Sequence, residues 1–199
     1  MKTLTTTLFA VLLYTGLSAQ AFEEGRSYLS LGYGFGNLTQ AVIKEAVAES
    51  DVKYSSFGPA FLKYEYAIAE KVGIGANLAY LSAKVSATDA YTDINNNEIK
   101  YTETVKFSTF SVLGRVNFHF GDNDNIDPYF GVGMGYRTAN WNYTSTDPNA
   151  PENEDIKSLS PFGMDMTFGT RFLFTDNVGA YVEVGMAKAV FQLGLVAKL

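Results

Sequence analysis

The chain predicts an all-β fold: a closed antiparallel up-and-down transmembrane β-barrel of about eight strands, with long loops on one rim and short turns on the other. Three observations carry this expectation. Long segments alternate strictly between an apolar series and a series of glycine, hydroxyl and ionic residues. The connections alternate in length, and an apolar leader precedes everything else. Ser160–Phe174 shows the alternation plainly. One series holds Phe162, Met164, Met166, Phe168, Thr170, Phe172 and Phe174; the other holds Gly163, Asp165, Thr167, Gly169 and Arg171. Side chains in a strand point to opposite faces with period two, so this segment has one apolar and one polar face.

The first element is the leader. Lys2 precedes the apolar run Leu8–Leu13, and Ala19-Gln20-Ala21 follows as a small-x-small cleavage pattern, with the cut after Ala21 or after Ala19. That layout is a secretory signal peptide over residues 1–21, leaving a barrel domain over 22–199. The run is far short of the roughly 18–20 apolar residues that a spanning helix needs. With 15 basic and 21 acidic residues in the chain, loss of Lys2 leaves 14 against 21, a formal charge of −7. Such a balance argues against nucleic acid as a partner. Without cysteine the chain has no disulfide, thiolate chemistry or lipid-bearing cysteine.

Eight strand segments follow: Ser27–Gly36, Phe57–Ile68, Val72–Ala83, Thr104–Phe120, Pro128–Thr138, Ser160–Phe174, Val178–Met186 and Ala189–Leu199. In the first, Leu29, Leu31, Tyr33 and Phe35 oppose Ser30, Gly32 and Gly34. In the fifth, Phe130, Val132, Met134 and Tyr136 oppose Gly131, Gly133, Gly135 and Arg137. The connections Asn37–Ser56, Lys84–Glu103 and Ala139–Ser158 are long and polar, and Gln40–Val52 has helical character. Ala69–Lys71, Gly121–Asp127 and Thr175–Asn177 are short. Antiparallel closure puts all the long connections on one rim, an asymmetry found in outer-membrane barrels.

Which face meets lipid follows from the polar series. It is dominated by glycine, which packs nothing on an exposed sheet but makes room inside a narrow barrel. Its ions also balance: Lys63, Arg115 and Arg171 against Glu65, Asp165 and Glu183. Buried charges persist when paired, so these six are expected to form a salt-bridge network in the lumen. In the hairpin turning at Thr175–Asn177, Arg171 and Glu183 fall opposite or one pair apart. A lipid-facing Arg or Lys at the midplane would cost roughly 2–4 kcal/mol, and the apolar series carries none there.

Asp127-Pro128-Tyr129-Phe130-Gly131-Val132-Gly133-Met134-Gly135-Tyr136 resembles the fifth-strand segment of small outer-membrane β-barrel domain proteins, and Phe174–Gly179 resembles their periplasmic turn. The resemblance is to the OmpA-barrel, OmpX and OmpW-like group and covers Phe22–Leu199. It implies export through the periplasm, insertion into the cell outer membrane by the barrel-assembly machinery, and contact with outer-membrane lipid and lipopolysaccharide. The terminal Leu199 departs from the Phe that commonly ends such chains.

No catalytic set emerges, and no cofactor or metal is expected. His119, the lone histidine, lies one residue before a short turn with Asn117 rather than a serine two positions along, which suits a lumen residue. Asp122-Asn123-Asp124-Asn125 lacks the Gly and distal Glu of a calcium loop. Acidic residues gather in the outer connections: Asp89, Asp93 and Glu98, then Asp147, Glu152, Glu154 and Asp155. The expected function is non-enzymatic: envelope integrity, adhesion or recognition of an extracellular ligand or surface, by a monomer. The alternative is a porin-like or OmpW-like conduit for small or hydrophobic solutes.

Overall fold

The computed structural model describes residues 20–36, 52–92, 96–150, 154–157 and 161–199. Most of the expected leader, and nearly all of the expected helical stretch Gln40–Val52, lie outside these residues. Among the described residues there are nine strands: β1 (Ser27–Phe35), β2 (Val52–Ala69), β3 (Val72–Thr92), β4 (Glu98–His119), β5 (Ile126–Ser145), β6 (Glu154–Lys157), β7 (Phe162–Leu173), β8 (Val178–Met186) and β9 (Phe191–Lys198). All but β6 form a ring of antiparallel neighbours, each paired with the next in sequence, and β9 returns to β1 in the register Gly32↔Gly194. The short β6 pairs only with β5, from Asn140↔Lys157 to Tyr143↔Glu154.

The faces sort as the alternation demands. On β7 and β9, Phe168 and Leu195 are 62 % and 63 % exposed, whereas Arg171 and Glu183 on the other face of the wall are 3 % and 2 % exposed. The aromatic and aliphatic stripe therefore points outward, and the ions point into the middle. A soluble barrel would be built the other way round. Short turns close one end through local side-chain caps. Thr175 Oγ1 accepts from the backbone N–H of Val178 at 3.1 Å, and Asn123 Oδ1 accepts from those of Asn125 and Ile126 at 2.8 and 3.1 Å.

The other end differs from the sequence expectation. Lys84–Glu103 and Ala139–Ser158 do not form loops through most of their length; β3, β4 and β5 run on through them, reaching 21, 22 and 20 residues. β2 reaches 18 residues and starts inside the connection assigned to 37–56. About 9–11 residues suffice to cross a bilayer. β1, β8 and β9 have 9, 9 and 8 residues, so they end near the rim while β2–β5 continue above it as a projecting sheet. Within β2 a bulge between Phe57 and Ala60 marks the change. Gly58 adopts φ 90° there, and its N–H donates to Tyr33 Oη at 3.0 Å.

Candidate functional site

The lumen gathers the six expected ions and several residues beside them. Lys63 on β2 donates to Glu183 on β8 at 2.6 Å and to Gln192 on β9 at 2.9 Å. Arg115 on β4 reaches the same Glu183 at 3.1 Å, stands 3.8 Å from Asp165 on β7, and donates to Thr167 Oγ1 at 2.6 Å. Tyr129 Oη completes the set on Glu183 at 2.7 Å, and Asn77 donates to Asp165 at 2.7 Å. Glu183 thus receives donors from three strands, which satisfies lone pairs that burial strips of water. Asp165, by contrast, is held at Oδ2 alone, and its buried Oδ1 has no hydrogen-bond partner among the described residues.

A second cluster lies toward the short turns. Arg171 pairs with Glu65, and with Asp127 at 3.3 Å. His119 sits between the same two carboxylates, with Nε2 2.8 Å from Glu65 and Nδ1 2.7 Å from Asp127. Tyr28 and Tyr129 flank the Arg171 guanidinium, their ring centres at 4.6 and 4.9 Å, a separation that favours cation–π attraction. The expected neighbours Arg171 and Glu183 do not pair. Arg171 stands opposite Tyr181 and Glu183 opposite Gly169. Arg171 pairs with its neighbour Asp127 on β5 and across the lumen with Glu65, and Glu183 pairs across the lumen with Lys63 and Arg115.

The glycines explain how the ions fit. A methyl group added at Gly73 would collide with the Glu65 carboxylate, one at Gly131 with the Arg115 guanidinium, and one at Gly169 with Glu183 Cγ at 2.7 Å. Each ion lies over a position with no side chain. The cavity left among Tyr28, Lys63, Glu65, Arg115, Arg171 and Glu183 is about 10 Å³. That is at the lower limit for a single water molecule.

Both ends of this network are covered. Below it, the Phe22 ring stacks on His119 at 3.5 Å, the Ala21 N–H donates to Asn123 O at 3.1 Å, and Lys198 pairs with Glu23 at 3.0 Å. Above it, Lys188 in the β8–β9 turn donates to Ala79 O at 3.2 Å and Thr109 Oγ1 at 3.0 Å. Burial, with Arg137 nearby, pushes the Lys188 ammonium down to about 7. The expectation missed Asp127, Asn77, Gln192 and Tyr129. Asn77 and Gln192 sit in the polar series and could have been read from it, whereas Asp127 was counted with the turn before Pro128.

The projecting sheet is the second feature of note. Its base carries Lys53, Lys84 and Lys106; farther out come Asp89, Glu98, Glu103 and Asp147, with Lys100 among them. Lys84 and Lys106 stand directly opposite one another, four residue pairs beyond Tyr80↔Phe110 of the apolar stripe. Tyr91 and Tyr101 contact each other at 5.9 Å, Trp141 packs on Phe107 at 4.3 Å, and Tyr143 Oη donates to Glu103 at 2.8 Å. Asp93 and Glu152 lie outside the described residues.

A family model for the outer membrane protein beta-barrel domain matches residues 7–185, most of the chain. The chain belongs to that family. This outer-membrane β-barrel is similar in structure to Ail, the attachment invasion locus protein of Yersinia pestis, at 14% identity and a TM-score of 0.47 over 89% of this chain and 100% of that one. It is also similar to the N-terminal β-barrel domain of Pseudomonas aeruginosa OprF, at 14% identity and a TM-score of 0.37 over 88% and 96% of the two chains. No curated protein matches it.

Proposed function

We propose that this outer-membrane β-barrel is a non-enzymatic anchor that holds an acid-tipped sheet outside the cell for adhesion or surface recognition. The observation that carries this reading is the inequality of the strands: β2–β5 have 18 to 22 residues, whereas β1, β8 and β9 have 8 or 9. Strand built far beyond the bilayer adds nothing to crossing it. It does display side chains at a fixed distance from the membrane. The Lys53, Lys84 and Lys106 base suits the phosphate layer, and the acidic residues above it suit a basic partner surface.

The filled lumen supports anchoring over transport. A solute following the barrel axis would have to break the Lys63–Glu183–Arg115 bonds and then displace Phe22 from His119. His119 is engaged by two carboxylates and a phenyl ring, which leaves no nucleophile beside it.

The test replaces residues 88–102 by a two-residue Asn-Gly turn in cells displaying the full chain. Adherence to a cultured epithelial monolayer and to collagen-coated plastic should fall to background, while the barrel keeps its heat-sensitive gel mobility. Unchanged adherence, or acyl release from membrane lipid that disappears in His119→Ala, would overturn the reading.

A further inference from the structure

The barrel wall is incomplete at the outer end of β7. Its ladder with β8 stops at Met166↔Met186, while its ladder with β5 continues to Tyr136↔Phe162. Phe162–Asp165 therefore have a partner strand on one side only, and the β8–β9 turn stands beyond their free edge. A cavity of about 220 Å³ fills the notch. Its lining mixes both faces of the wall: Leu113, Asp165 and Lys188 from the lumen side, Met164, Met166 and Met186 from the lipid side. An unbroken ladder would keep those two sets apart.

The composition of the notch is unlike the rest of the outer surface. The chain has five methionines; Met164, Met166 and Met186 line this cavity, and Met134 lies beside it on β5. Met134 is the cross-strand partner of Met164, and Met166 that of Met186. All four are exposed, Met186 at 73 %. Elsewhere the stripe is mainly Phe, Leu, Val, Ile and Tyr. An unbranched, polarizable thioether adapts to a chain of changing shape, as those stiffer side chains do not.

Charge at the notch has one sign left over. Asp165 is balanced inward through Oδ2, by Asn77 at 2.7 Å and Arg115 at 3.8 Å, while its buried Oδ1 has no hydrogen-bond partner among the described residues. Lys188 donates to two neutral oxygens, Ala79 O and Thr109 Oγ1. Arg137, exposed at the same cavity, has no ion pair among the described residues. Two cations thus sit at the outer mouth of an apolar slot that opens sideways.

We propose that the notch seats one phosphate-headed lipid of the surrounding leaflet, its head between Arg137 and Lys188 and one acyl chain along Met164, Met166 and Met186. The ion network below makes the slot a blind seat. The lipid enters sideways from the membrane and goes no further.

The full chain, refolded in dodecyl maltoside with ¹³C-methyl methionine, is titrated with dodecyl phosphate, dodecanol and inorganic phosphate. Dodecyl phosphate should shift the Met164, Met166 and Met186 methyl signals saturably. Lys188→Gln and Arg137→Gln should each weaken it about tenfold, the loss expected for one charge-assisted contact. Arg137 is exposed, so its variant decides the matter even if Lys188→Gln fails to fold. Equal shifts from dodecanol would show a greasy slot without head recognition. Equal shifts from inorganic phosphate would show an ion site without a chain. Either result, or parental affinity in the Arg137→Gln protein, overturns the proposal.

Discussion

Glu183 accepts from Lys63, Arg115 and Tyr129 at once, so its carboxylate is the charge on which two buried cations depend. Glu183→Ala should destabilise the barrel by about 3–5 kcal/mol, because it leaves those cations uncompensated. Glu183→Gln keeps the packing and one acceptor and should cost less; equal urea midpoints for the two variants would refute the compensating role. Lys188 provides a pH prediction. Its folded value of about 7 lies below its ordinary 10.5, so folding expels a proton between those limits. Stability should therefore rise with pH from about 7 to 10.5, and a Lys188 side-chain carbon signal should titrate near neutrality; a midpoint near 10 would contradict the burial. The six lumen ions were legible because a period of two assigns every strand residue a side. Their partners were not. Arg171 and Glu183 lie close along one hairpin, yet Arg171 bonds across the lumen to Glu65 and Glu183 to Lys63 and Arg115. That pairing is fixed by the stagger at which the ring closes, a quantity no local segment contains.

Strand lengths show where polarity misleads. Lys84–Thr92 and Glu98–Glu103 read as loop because neither face is apolar, but above a bilayer neither face has to be. The ladder there rests on backbone bonds and hydroxyl pairs, Ser86 with Thr104 at 3.0 Å and Thr88 with Thr102 at 3.1 Å. Threonine, valine and tyrosine at those positions favour extended backbone, and that was the available signal. By contrast, β8 was read to the residue, since Val178, Ala180, Val182 and Val184 face lipid along its whole length. Hydrogen exchange should separate the two regimes. Amides of Thr88–Thr92 and Glu98–Thr102 are expected to exchange as one fast unit, and those around Leu78↔Val112 to be protected by the hydrocarbon. Uniform protection along β3 would mean that the outer sheet is as deeply shielded as the wall.

At the scale of the whole molecule, fold class and orientation followed from alternation and loop asymmetry, but the state of the lumen did not. Whether eight strands enclose a plug or a path depends on how side chains from opposite walls meet. Here they meet within bonding distance, with Phe22 beneath and Lys188 above. Planar-bilayer recordings of the purified chain should show no reproducible stepwise conductance, and such steps would sink the plugged reading. Unequal walls also give the molecule a front and a back in the plane of the membrane. A neighbour approaching from the β8–β9 side can lean over the barrel mouth, while one approaching from β3–β4 meets a palisade. Crowded together, such molecules would favour some mutual headings over others, since the described strands rise unequally around the mouth.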